Sequence, residues 1–221
     1  MIAPQPLGDQ AALVYLPDEA AAWRFAAAAG AAELPGRQDV VQAYASVAVF
    51  FDPGATTFAA VAAALARLAS APAADPPPPR HHVLPCCYDL GPDLGRVADH
   101  TGLPPDEVVR RHAAAEYTVY AIGFCPGFPY LGYLPPPLCG VPRLAAPRLR
   151  VEPGSVGMTG RQTGVYPLPR PGGWNLIGRT PLQLVDLADN YFPLRVGDRV
   201  RFTRIDEAEF RKLDGQRLAP P

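Results

Sequence analysis

The chain has 221 residues, 48% apolar and 9% aromatic, with 20 Lys and Arg against 21 Asp and Glu. That length and composition fit one large or two small folded domains and argue against wholesale disorder. The net charge of −1 argues against a nucleic-acid or anionic-membrane footprint.

No apolar run is long enough to span a bilayer, and the opening MIAPQPLGDQ has neither a basic region nor an apolar signal core. A cytoplasmic protein is expected. Residues 11–16 form a short apolar strand. Asp18 then caps an alanine-rich helix over about 19–32, ended by Gly30 to Gly36. The β-branched and aromatic run from Val40 to Phe51 reads mostly as strand. Thr56 or Thr57 caps a second helix reaching about Ser70, with Phe58, Val61, Leu65 and Leu68 at helical spacing. The order β-α-β-α predicts a small α+β domain of ferredoxin-like type over 1–71.

PAADPPPP, at 72–79, can neither continue a helix nor enter a sheet ladder, so 72–80 is expected to be a stiff linker. Beyond it, HHVLPCCYD suggests a strand, followed by two short helices. The second, over 105–114, has proline at its start, Asp106 and Glu107 in its first turn, and Arg110, Arg111 and His112 near its end. There His112 reads as a cap and dipole partner rather than a catalyst. From Tyr117 on, short β-rich runs punctuated by glycine and proline predict a barrel or sandwich, making 81–221 a mainly-β domain. The terminal LAPP is expected to fray.

Three stretches carry candidate chemistry. PGSVGMTGRQTG, at 153–164, cannot be a Walker loop: Gly154 and Gly160 are one residue too far apart, and Arg161-Gln162 stands where Lys-Ser/Thr belongs. Nor is it a serine elbow, because Pro153-Gly154-Ser155-Val156-Gly157 lacks the first glycine and no helix is expected after it. It reads as a glycine-rich β-turn series, with Gln162 and Thr163 fixed between glycines and Arg143, Arg148 and Arg179 in nearby strands. Those residues could build a pocket for a carboxylate or phosphate. GFCPGFPYLGYL, at 123–134, implies a rigid aromatic bend, either a core corner or a pocket wall. Cys125 inside it has no identifiable acid–base neighbour. PGGWNLIGRTP, at 171–181, places Trp174 either in the core or over a ligand, and Asp198 reads as a hairpin-turn residue before the last strand. The cysteines, Cys86, Cys87, Cys125 and Cys139, have no metal spacing, and no metal site is expected. Lys212 is the only lysine, so chemistry needing a central lysine is nearly excluded.

Taken in order, GFCPGFPYLGYL, PRLAAPRLRVEPGSVGMTGRQTGVYPL, PGGWNLIGRTPLQLVD and VGDRVRF resemble the PxpB/KipI family, often labelled allophanate hydrolase subunit 1. CYDLGPDLGRVADHTGLPPDEVVRRHAAAEYTVY looks like that family's lead-in. The likeness is close from about 83 to 205 and looser over the first seventy residues. It implies an N-terminal α+β domain joined to a cyclophilin-like β-barrel. It also implies a non-autonomous subunit, inactive alone, of an ATP-dependent lactam hydrolase that opens 5-oxoproline to glutamate. A PxpC/KipA-like larger subunit and a PxpA-like subunit would be its partners, with ATP and Mg at a site shared with or supplied by a partner. On the family's motif positions, Arg148, Ser155, Gln162, Thr163, Trp174, Arg179 and Arg143 would line a pocket. Phe124, Phe128 and Tyr130 would form an adjoining wall or partner contact. No catalytic residue is assigned. The alternatives are a KipI-like inhibitor of a histidine kinase and a component of urea or allophanate metabolism. The absence of a serine–lysine amidase signature argues against the last.

Overall fold

The computed structural model describes residues 3–70 and 76–219 and divides into two compact units, residues 1–78 and 79–221. Part of the proline-rich stretch and the last two residues of LAPP therefore lie outside the described residues. The architecture is mixed α/β, dominated by antiparallel sheet.

In the first unit, β1 (Gln5–Pro6), β2 (Ala11–Tyr15), β3 (Arg37–Ala43) and β4 (Ser46–Phe51) form an antiparallel sheet in the order β1-β2-β4-β3. Helices α1 (Glu19–Ala31) and α2 (Phe58–Ala69) bury Ala22, Phe25, Val61 and Leu65 in a core shared with Val14 and Val49. Asp18 accepts from the Ala21 N–H as expected, and of the two expected caps for the second helix it is Thr57 that accepts, from the Ala60 N–H. The end of α1 is set by tertiary structure, as the Arg37 guanidinium donates to the carbonyls of Ala29, Gly30 and Ala32 at 2.7, 2.7 and 2.8 Å. The expected β-α-β-α order needs correction, because the Val40–Phe51 run is two strands. A hairpin reverses it at Tyr44-Ala45, where Tyr44 takes φ 52° without the glycine or asparagine that would have signalled a turn.

The second unit follows β5 (His81–Cys86) with α3 (Leu94–Thr101) and α4 (Pro105–Ala114). Its remaining strands are β6 (Glu116–Ile122), β7 (Pro129–Gly132), β8 (Arg148–Val151), β9 (Ser155–Thr159), β10 (Gln162–Val165), β11 (Arg170–Gly172), β12 (Asn175–Arg179) and β13 (Arg199–Arg204). The main sheet runs β5-β13-β6-β7-β10-β9-β12, with β13 parallel to β5 and the other pairs antiparallel. Reciprocal backbone bonds between Cys87 and Arg179, at 2.8 and 2.9 Å, bring the end of β12 back to β5 and close the sheet on itself. This one bridge joins the two ends of the sheet at a single point. Leu84, Val119, Leu131, Met158, Ile177 and Val200 are fully buried inside it, and α3 and α4 pack against β12 and β13. The ribbon β8–β11 stands apart from the ring.

Asp198 lies in the turn before β13, as expected, but it is a buried tie rather than a surface turn residue. It accepts from Arg80, from His82 Nε2 at 3.1 Å and from the Arg195 N–H at 3.0 Å, fixing the start of β5 to the start of β13. The unpredicted helix α5 (Glu207–Leu213) follows β13. Leu218, assigned to the frayed end, is buried, and Arg217 bridges to Gln183.

Candidate functional site: an aromatic cleft under one arginine

On the outer face of the ring, Cys125, Phe128, Val151, Tyr166, Trp174 and Leu176 form their own cluster. A cleft of about 110 Å³ opens beside it, lined by Phe124, Phe128, Tyr130, Arg143, Tyr166, Gly172, Gly173 and Trp174. Its rings meet edge to face: Phe128–Tyr130 at 5.0 Å, Phe128–Trp174 at 5.5 Å and Tyr130–Trp174 at 5.8 Å. Such contacts hold the walls in fixed orientations. The bend that precedes β7 is closed by its own backbone, with the Phe128 N–H on the Cys125 carbonyl at 3.1 Å. It presents Phe124 at φ 66° with 58% of its surface exposed, edge-on to Phe128 at 5.4 Å. Gly172 is required here by close approach, since a Cβ would lie 2.5 Å from the Tyr166 hydroxyl.

Of the residues expected to line a pocket, the structure gathers Arg143, Trp174, Phe124, Phe128 and Tyr130 around this cleft. The others lie elsewhere. Arg148 sits beside it on β8, opposite Gly172, but is engaged by Asp93 at 2.6 Å. Arg179 donates to the Pro153 carbonyl at 2.9 Å, lies over the Phe210 ring, and lines a different cavity of about 440 Å³ with Pro181, Gln183 and Asp214. Ser155 is buried at the start of β9, paired with Arg179. Gln162 and Thr163 cannot share one pocket. They are neighbours on β10, and strand side chains alternate between faces. Thr163 points into the ring and Gln162 away from it.

PGSVGMTGRQTG is thus the β9–β10 hairpin, with Thr159 opposite Gln162. Inside the ring, Thr163 donates to the Gly157 carbonyl at 3.0 Å and meets His112 Nε2 at 2.9 Å. His112 Nδ1 lies 2.7 Å from the Tyr88 hydroxyl. Because the Thr163 proton is spent on Gly157, His112 carries its proton on Nε2 and accepts from Tyr88 at Nδ1. Burial pulls the His112 pKa down to about 3. His112 is therefore a neutral internal strut and not a helix-end dipole partner. Burial likewise pushes the Cys125 thiol up, against the nearby charge of Arg170, so it is no ready nucleophile.

Arg143 is the cleft's cation. It is exposed, and among the described residues its guanidinium has no hydrogen-bond or ion-pair partner. Its charge opposes the burial that pushes up the phenols of Tyr130 and Tyr166. The backbone on both sides of it is fixed. The Pro142 carbonyl accepts from Asn175 Nδ2 at 2.9 Å, and the Leu144 N–H donates to the Gly173 carbonyl at 2.8 Å. Asn175 is fully buried and also donates to the Met158 carbonyl at 3.1 Å while accepting from Arg96 at 2.9 Å. Tyr166, Gly172, Gly173, Asn175 and Asp93 were missed from the sequence. The one available signal was Asn175, a polar residue inside the apolar run WNLIG.

Residues 2–194 match the family of the carboxyltransferase domain, subdomain C and D. Over 113 residues the chain is 58% identical to the 5-oxoprolinase B subunit of Escherichia coli O157:H7, covering 51% of each chain. Over 130 residues it is 48% identical to the 5-oxoprolinase B subunit of Bacillus subtilis (strain 168), covering 58% of this chain and 54% of that one. The chain thus spans about half the length of the curated relatives it matches.

Among solved structures, TTHA0988 superposes with a TM-score of 0.76 at 36% identity, over 90% of this chain and 40% of that one. The conserved uncharacterized protein PH0987 from Pyrococcus horikoshii is 33% identical over 94% of this chain and 99% of its own, with a TM-score of 0.55. Kluyveromyces lactis urea carboxylase shares the fold, with a TM-score of 0.77 at 19% identity over 96% of this chain and 22% of that one. The chain therefore belongs to the family of the carboxyltransferase domain, subdomains C and D, with 5-oxoprolinase B subunits among its relatives.

Proposed function

We propose that this chain is the PxpB-type component of an ATP-dependent 5-oxoprolinase. Its cleft forms part of a site completed by a PxpC/KipA-like larger subunit, and a PxpA-like subunit joins the complex in the cytoplasm. The relatives named as 5-oxoprolinase B subunits support the reaction. The observation that carries the half-site reading is the cleft itself, which offers one unpaired cation and fixed aromatic walls but no acid–base pair. Such a surface can bind and orient a small anion, but it cannot by itself move the proton and water that opening a lactam needs.

In this reading ATP with Mg sits at a site shared with or supplied by a partner subunit. The described residues hold no group of three or more His, Cys, Asp or Glu able to bind a metal. The glycine-rich stretch is a β-hairpin without a following helix, and Lys212 lies exposed on α5. No step is routed through ATP on this chain. The strand order β1-β2-β4-β3 with two helices supports a ferredoxin-like first domain, and the closed ring supports a cyclophilin-like second one, joined at 72–80. No helix among the described residues is long and apolar enough to cross a membrane.

The test is reconstitution. The chain with both partners should release glutamate from 5-oxoproline only when ATP is present, and the chain alone should release none. Absence of turnover in the full mixture, together with suppression of a histidine kinase's autophosphorylation by this chain alone, would replace this reading with the inhibitor.

A further inference from the structure

The geometry points to Arg143 as the anion anchor of the aromatic cleft, aimed by Asn175 through the Pro142 carbonyl, in a site that takes a small flat carboxylate on this chain alone. The proposal deepens the half-site reading above and rests on it. Three observations carry it.

The first is charge. Arg143 is the only charged side chain lining the cleft, and it is unpaired among the described residues. Arg148, beside the cleft rather than lining it, is held through Nη2 by Asp93, whose other oxygen accepts from the Leu176 N–H at 2.7 Å, while its Nη1 is buried without a hydrogen-bond partner. One unpaired guanidinium neutralises one negative charge, and its planar fork matches a carboxylate.

The second is shape. Phe128, Tyr130 and Trp174 form walls around about 110 Å³. That space suits the ring of a small metabolite and is well below the roughly 300–1,000 Å³ of drug-sized pockets.

The third is preorganisation. Arg143 is a surface residue, yet both neighbouring peptide groups are tied down. Asn175 acts on the Pro142 side and Gly173 on the Leu144 side. The remaining bonds of Asn175 go to the Met158 carbonyl and to exposed Arg96, and its second Nδ2 proton is the one that reaches Pro142. Fixing the backbone of an anchor lowers the ordering cost of binding. Asn175 is thus a positioning residue for Arg143.

The chain's two tryptophans are Trp23 and Trp174, so Trp23→Phe leaves the cleft's own indole as the sole reporter. In that background, benzoate should quench Trp174 fluorescence saturably, whereas benzamide, its neutral counterpart, should not. Arg143→Gln should weaken benzoate roughly ten- to hundredfold, as expected for loss of a charged hydrogen bond. Arg143→Lys, which keeps the charge without the fork, should fall between.

Asn175→Ala should weaken benzoate when Arg143 is present and have no further effect in the Arg143→Gln background. A merely structural loss would add in both backgrounds. Should Asn175→Ala not fold, Asn175→Asp takes its place in the cycle, since it keeps an acceptor for Arg96 but loses the donor to Pro142. Equal binding of benzoate and benzamide, or unchanged affinity in Arg143→Gln, overturns the anchor. Additivity of the two substitutions overturns the positioning role.

In the reconstituted complex, Arg143→Gln should raise KM for 5-oxoproline more than it lowers kcat. Normal KM with normal turnover sinks this inference and leaves the proposed function standing. Arg143-dependent benzoate binding in a complex that never releases glutamate does the reverse.

Discussion

His112 shows how one residue can take its properties wholly from its surroundings. It lies buried between Tyr88 and Thr163, and burial lowers its pKa from 6.5 to about 3. Between those values the unfolded chain binds a proton that the folded chain refuses. Stability should therefore fall as pH drops below 6.5, by about 1.4 kcal/mol per unit, and this loss should level off near pH 3. Urea unfolding followed at Trp174 should give about 2 kcal/mol less stability at pH 5 than at pH 7 from this group alone. His112→Gln should flatten that difference, and an unchanged difference would assign it elsewhere. Thr163→Val keeps the shape but strands the His112 Nε2–H. It should cost about 1–3 kcal/mol in the same assay.

At the scale of elements, the glycines and prolines that punctuate the sequence marked where strands end but not which strands meet. Capping is local, so Asp18, the Thr56-Thr57 pair and the start of α4 could be placed from a few neighbouring residues. The hairpin at Tyr44-Ala45 and the β8–β11 ribbon could not, because their turns carry no strong local signal and the partner strands decide them. Helix α5 did carry one, Asp206 capping the Glu209 N–H ahead of an acidic first turn and a basic last turn, and it was missed from the sequence. The seam of the ring depends on another close approach. A Cβ on Gly91 would lie 2.2 Å from the Ile177 carbonyl carbon, and nothing there is a flexible side chain that could yield. Gly91→Ala should push the turn after β5 off β12 and lower stability by about 2 kcal/mol or more, with a lower melting temperature seen by circular dichroism. A melting temperature equal to the parent's would show that the seam can open at little cost.

For the whole molecule, the tie at Asp198 joins the start of the ring's first strand to the start of its last. Burial alone would raise its pKa. Arg80, the Arg195 N–H and His82 outweigh that and hold the carboxyl below its usual value. Its contribution is therefore present above about pH 3.8 and is lost as pH falls through the lower folded value. Asp198→Ala would leave Arg80 and His82 without their shared acceptor, and should cost about 3–5 kcal/mol. Loss of the Trp174 unfolding transition at pH 7, or its shift to much lower urea, is the expected result. An unshifted transition would show that the flanking strands close the ring without this tie.

The sequence by itself determined the Asp18 cap, helices over about 19–32, up to about Ser70 and over 105–114, each within a residue or two of those observed, the strand-rich second half, and the rejection of a Walker loop. These follow from local patterns and spacing, which the chain carries within a few residues. Only the tertiary structure decided which polar residues share a site. Gln162 and Thr163 stand side by side in sequence yet face opposite sides of a strand. Arg148 and Arg179 look as available as Arg143 until Asp93 and the Pro153 carbonyl are seen to engage them. A side chain's free donors depend on partners brought from tens of residues away. No reading of neighbours along the chain could have left Arg143 as the cleft's unpaired cation.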